Sequence, residues 1–105
     1  MSFKIIWSKF SETQLDAIHK FYSLKANPEI ADRIVYKIVN EVSILENDPL
    51  LGPREPLLLE RTNKYRYIIC NSYKIIYSVD EANNLIKIAD VFDSRQNPKK
   101  LNRNK

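Results

Sequence analysis

The sequence predicts an α+β fold in which a helical hairpin packs on one face of a four- to five-stranded, mainly antiparallel sheet. Three observations carry this reading. Residues 65–93 hold three runs rich in β-branched and aromatic side chains, Tyr65-Arg66-Tyr67-Ile68-Ile69-Cys70, Tyr73-Lys74-Ile75-Ile76-Tyr77-Ser78-Val79 and Leu85-Ile86-Lys87-Ile88-Ala89-Asp90-Val91-Phe92-Asp93. The breaks between them are Asn, Ser and Asp, so the stretch reads as a three-stranded antiparallel meander. Ahead of it, apolar residues twice recur at spacings of three and four behind a capping signal, which marks two amphipathic helices. Finally, 105 residues at 44% hydrophobic suffice for one compact domain with a modest core, residues 1–105, of which 93–105 form a basic C-terminal tail.

Each element has its own signal. Residues 2–8 alternate Phe3, Ile5 and Trp7 with Lys4 and Ile6 and predict a first strand, which needs the later sheet to satisfy its backbone. Ser11 is the expected N-cap of the first helix, with Gln14 completing a capping box and Phe10 and Leu15 placed as a hydrophobic staple. The helix runs to Lys25 with Leu15, Ile18 and Tyr22 on one stripe and His19 at its boundary. Asn27-Pro28 restarts the chain as cap and first helical position. Ala31, Ile34, Val35, Ile38, Val42 and Leu45 carry the second helix to Asn47, roughly 30 Å. Asp48-Pro49 ends it, the loop through Pro56 contains the only glycine, Gly52, and 57–61 is expected as a short strand with its turn at 62–64.

The meander carries the first hint of chemistry. Odd positions from Tyr65 to Val79 form a nearly unbroken apolar row, which is continuous across the hairpin if the loop is Cys70-Asn71-Ser72, with Asn71 accepting the left-handed conformation. Ile69 then pairs with Tyr73 and Ile68 with Lys74. On that register Arg66 and Lys74 stand together on the face away from the aromatic row. In the last strand the apolar phase slips between Ile88 and Val91, so a bulge is expected near Ala89-Asp90, re-aiming Asp93 and Arg95.

Composition sets bounds on function. A single cysteine excludes an internal disulfide, and with one histidine it leaves no zinc site, so no metal or cofactor is expected. No leader-like or membrane-spanning run is present, which predicts a reducing cytoplasm and no membrane contact. The net charge of +4 resides in the tail: Arg95, Lys99, Lys100, Arg103 and Lys105 face only Asp93, while the first 92 residues carry twelve charges of each sign. A cationic cluster beside a sheet is either a solvated tail or an attractor of phosphates.

The chain resembles the RelE/ParE superfamily, the toxins of bacterial type II toxin–antitoxin and plasmid stabilisation systems. The likeness covers nearly all of it. It rests on Trp7-Ser8 leading into the first helix, Asp48-Pro49 with Gly52 before the sheet, and the Tyr65-Arg66 pair. Further on, Tyr73-Lys74-Ile75-Ile76-Tyr77 fills the slot of the family's Tyr-Arg-x-x-Tyr strand, and Val91-Phe92-Asp93-Ser94-Arg95 stands where many members end in His-x-Arg.

RelE-type members cut mRNA on the ribosome and ParE-type members poison DNA gyrase, so the resemblance implies a toxin with a cognate antitoxin as partner. Its first implied mechanism is ribosome-dependent mRNA cleavage without metal. Arg66 and Lys74 would hold the scissile phosphate with help from Arg95, and Lys99, Lys100 and Arg103 would contact RNA. Fixed cations aimed at developing phosphate charge are a strong form of electrostatic catalysis. The second implied mechanism is gyrase poisoning, which Arg95-Gln96-Asn97 matches better. The third is an inactive homologue that only binds antitoxin. Asp93, in place of the family's frequent His, weighs against cleavage because an anion beside the phosphate opposes the chemistry unless Arg95 neutralises it.

Overall fold

The structure is a computed structural model that describes residues 2–55 and 64–95. The expected strand at 57–61, the turn residues Thr62 and Asn63, and Lys99, Lys100 and Arg103 lie outside the described residues.

Four strands, β1 (Lys4–Trp7), β2 (Tyr65–Cys70), β3 (Tyr73–Asp80) and β4 (Leu85–Asp93), form a sheet in the order β1-β4-β3-β2. β1 pairs in parallel with β4, and the meander is antiparallel. Helices α1 (Lys9–Lys25) and α2 (Pro28–Ser43) cover one face. The core lies between them: Ile38, Val42 and Leu45 from α2 and its continuing 3-10 turn (Ile44–Glu46) meet Tyr73, Ile75, Tyr77, Ile86, Ile88 and Val91. Leu15, Ile18 and Tyr22 pack from α1, as their shared stripe requires.

The second helix starts as the sequence dictates, with the Asn27 side chain accepting from the Ile30 amide at 2.9 Å and Pro28 at the first position. The first starts earlier than the sequence reading has it. Ser8, not Ser11, is the N-cap, because its hydroxyl accepts from the Ser11 amide at 3.0 Å while buried Ser11 donates back to the Ser8 carbonyl at 2.8 Å. The Ser8 amide itself donates to the Ile88 carbonyl at 2.9 Å, so the cap is tied to β4 and is not closed by the reciprocal bond of a capping box.

The larger correction is the register of the first hairpin. Its loop is two residues, Asn71 and Ser72, with Asn71 left-handed at φ 56°. Cys70 therefore pairs with Tyr73, Ile69 with Lys74 and Ile68 with Ile75. A change of one loop residue transfers every side chain of the strand to the other face. Ile68 and Cys70 join the helix-side core, and Tyr65 and Tyr67 pack with Ile76, Phe92 and Ala89 on the outer face. The aromatic row seen in the sequence is split between the two sides of the sheet.

The bulge in β4 is where the phase slip puts it. Ile76 pairs with Asp90 and Tyr77 with Ile88, leaving Ala89 as the extra residue. Ile86 and Ile88 before it and Val91 after it all reach the helix-side core. Asp93, two residues beyond Val91, therefore turns towards α1.

Candidate functional site

Arg66, Lys74 and Arg95 occupy three separate places. Arg66 pairs with Tyr77 across the β2–β3 hairpin and shares the parity of Ile68 and Cys70. Its Nη1 donates to the Gly52 carbonyl at 2.7 Å, beneath the loop that leaves the second helix. The same loop is held by the buried Tyr77 hydroxyl, which donates to the Pro49 carbonyl and accepts from the Gly52 amide, both at 2.9 Å. Burial is the main cause that pushes the Tyr77 hydroxyl above its usual pKa, so it stays a donor. Only glycine fits here, since a Cβ at residue 52 would lie 2.1 Å from the Tyr67 carbonyl oxygen. The sole glycine of the chain is set by this close approach, and Gly52 has no positive φ.

Lys74 lies on the opposite side of the sheet. Its ammonium is 3.1 Å from the Glu55 carboxylate and 4.4 Å from the centre of the Tyr67 ring. Glu55 is fully buried and Lys74 retains only 20% of its side-chain exposure, so this cation serves an internal ion pair. Glu55 is set in place by its own amide, which donates to the Tyr65 carbonyl, while the Tyr67 amide donates to the Pro53 carbonyl. Residues 53–55 thereby shield the outer edge of β2.

Arg95 follows β4 at the α1 end. Its Nε and Nη2 donate to the two oxygens of Asp93 at 3.0 and 2.9 Å, and its amide donates to Asp93 Oδ1 at 2.9 Å. The Arg95 hydrogen bonds hold the Asp93 carboxyl below the ordinary carboxylate range, and burial pushes the Tyr73 hydroxyl well up. Ser94 ties this end to the first hairpin, its amide and hydroxyl donating to the Ser72 carbonyl at 2.8 and 2.7 Å. A cleft of about 270 Å³ opens beside the pair, lined on the α1 side by Gln14, Ala17, Ile18 and half-exposed Phe21.

The structure therefore does not bring the three expected catalytic residues together, and the proximity of Arg66 and Lys74 expected on one face is overturned by the hairpin register. Each cation already has a strong acceptor within the fold. Of these acceptors the sequence marks Asp93 beside Arg95, whereas Glu55 lies between two prolines in a stretch without periodicity and the Gly52 carbonyl carries no local signal. His19 lies beside the apolar stripe of α1 as expected, its Nε2 2.6 Å from Asp32 Oδ1 on α2. Among the described residues no cluster of three or more His, Cys, Asp or Glu is placed to hold a metal, and no helix is long and apolar enough to cross a membrane.

Solved structures share this architecture. A chain of the chromosomal ParDE toxin–antitoxin system from P. aeruginosa is 22% identical with a TM-score of 0.72, over 88% of this chain and 96% of that one. The archaeal RelE–RelB complex from Pyrococcus horikoshii aligns at 15% identity and TM-score 0.62, over 92% of this chain and 100% of its own. A chain of the RelBE2 complex from Mycobacterium tuberculosis does so at 18% and 0.57, over 89% and 99%. At these identities the likeness speaks for the fold. No curated protein matches the chain in sequence. The family model of the ParE toxin of the type II toxin–antitoxin system parDE matches residues 5–98. With residues 5–98 of 105 covered, the chain belongs to the ParE toxin family of type II toxin–antitoxin systems.

Proposed function

We propose that this toxin acts by binding a protein target, DNA gyrase, and not by cutting RNA. The observation that supports this reading is the separation of the three cations. Arg66 bonds the Gly52 carbonyl, Lys74 pairs with buried Glu55, and Arg95 is engaged by Asp93. Metal-free cleavage of a phosphodiester needs several cationic or acid–base groups converging within hydrogen-bond reach of one phosphate. Two of these three cations lie on opposite faces of a sheet and cannot share a phosphate. Arg66 and Lys74 are on this reading anchors of the 48–55 loop, and Arg95 with the basic residues Lys99, Lys100 and Arg103 supplies a charged recognition end. The cognate antitoxin is then an acidic, partly disordered protein, attracted by that charge and ordered on binding.

The test is induced expression of the chain without its antitoxin, followed by pulse labelling of DNA and protein synthesis and by a supercoiling assay with purified gyrase. DNA synthesis should stop first, and gyrase should lose activity in proportion to added toxin. An immediate arrest of translation with cleaved mRNA would reinstate the RNA-cutting reading.

A further inference from the structure

We propose that Asp93 is a specificity-determining residue: an internal carboxylate that fills the oxyanion-binding fork of Arg95 and so excludes nucleic-acid phosphate from the root of the basic tail. This rests on the reading of the toxin as a binder of protein and names what keeps it from binding RNA.

The geometry is that of an occupied anion site. A guanidinium recognises carboxylate and phosphate through the same pair of parallel N–H groups. Here that pair, Nε and Nη2, closes on both oxygens of Asp93 at 3.0 and 2.9 Å. The carboxylate is held a third time by the Arg95 amide, and its side chain is only 17% exposed whereas that of Arg95 is 65% exposed. The Arg95 side chain thus lies at the surface while its fork is turned onto a carboxylate set into the protein.

Exposed ion pairs are weak in isolation, but this one is intramolecular across two residues. A short tether gives its second group an effective concentration on the order of millimolar or more, which a dilute outside phosphate does not match. An arriving phosphate also meets the negative charge of Asp93 itself. The β4 bulge matters here, since it gives Asp93 the parity of Val91, towards α1, and not that of Phe92 on the outer face. The arrangement is built from the strand outward.

Removing the carboxylate should therefore expose a phosphate site that this chain keeps closed. The experiment measures binding of the full chain to a fluorescein-labelled single-stranded oligouridylate by anisotropy across a KCl series. Asp93→Asn should tighten binding about tenfold and steepen the log–log salt slope by about 0.7, the increment for one added phosphate contact on a single strand. Asp93→Ser should behave alike, which guards against a folding fault peculiar to one variant.

Glu81→Gln makes the same change in net charge in the turn at the far end of β4, and should shift affinity less than twofold. Asp93→Asn combined with Arg95→Ala should return to the wild-type value. Equal gains from Asp93→Asn and Glu81→Gln, or a gain that survives loss of Arg95, would overturn the proposal. Gyrase inhibition by the wild-type chain is read separately, so a failure of the gyrase reading leaves a different signature from a failure of this one.

Discussion

Arg66 and Arg95 are the same residue type at the two ends of one sheet, and the fold uses them in opposite ways. Around Arg66 the chain is over-determined. Tyr77, Arg66 and the amides and carbonyls of residues 49–55 hold one loop against β2, and the Lys74–Glu55 pair closes the outer side. The bonds of Arg95 itself go to Asp93, two residues back, and lie at the surface, beside a cleft with a half-exposed Phe21. Charge spent inside the fold contributes to stability, whereas charge at its rim contributes to recognition and to the rate of encounter. The difference predicts that changes at the first region show chiefly in stability and changes at the second chiefly in binding.

The sharpest break is Gly52→Ala. The added methyl meets the Tyr67 backbone oxygen at 2.1 Å, with the Tyr77 hydroxyl at 2.9 Å, so strand and loop must part. We expect a loss of at least about 3 kcal/mol in urea unfolding, the scale of severe steric insertion into a packed site. Lys74→Met should cost about 2–3 kcal/mol, since it strips the ammonium from a fully buried carboxylate but keeps some packing on Tyr67. Tyr77→Phe should cost about 1–3 kcal/mol by leaving the Pro49 carbonyl and the Gly52 amide without their shared partner. Phe21→Ala, at 51% exposure, should stay within about 0.5 kcal/mol of wild type while weakening binding of the antitoxin or the target. A stability loss at Phe21 as large as that at Tyr77 would erase the contrast between the two regions.

Much of the first region was hidden in the sequence for a reason that one residue makes plain. Parity arguments need the loop length, and the hairpin at Asn71 can close with either two or three residues. The three-residue choice keeps the tyrosines in one row, while the observed two-residue loop turns Ile68 and Cys70 to the helix side and sends Tyr65 and Tyr67 to the outer face. Long-range acceptors were equally invisible: nothing local marks Glu55 as the counter-ion of a residue 19 positions away. The second region was more legible because its ion pair is local. The phase slip at Ala89 foretold the bulge, and Asp93 and Arg95 lie two apart in sequence. The helices were legible in period but not in their ends: two serines three apart offer rival caps for the first, and the second, expected to reach Asn47, stops as an α-helix at Ser43 and continues as a 3-10 turn over Ile44–Glu46.

Acid and alkali should distinguish the same two regions. Asp93 has its carboxyl held below the value of 3.8 it would have when unfolded, chiefly by the side-chain hydrogen bonds from Arg95. The unfolded state therefore binds the proton first as pH falls, and the contribution of the pair is whole above about pH 4 and fades as pH drops through the depressed native value. Tyr77 is raised above 10.0, chiefly by burial. Its contribution is whole below pH 10 and is lost as pH climbs towards its native value, because the unfolded tyrosine ionises first. Urea midpoints followed from pH 2 to 11 should then show Asp93→Asn converging on wild type only at the acid end. Tyr77→Phe should remove part of the alkaline decline and no more, since Tyr73 is raised as well. If the difference between Asp93→Asn and wild type persisted unchanged to pH 2, the Arg95 contact would owe its strength to shape and not to charge, and an outside phosphate would have no electrostatic rival to displace.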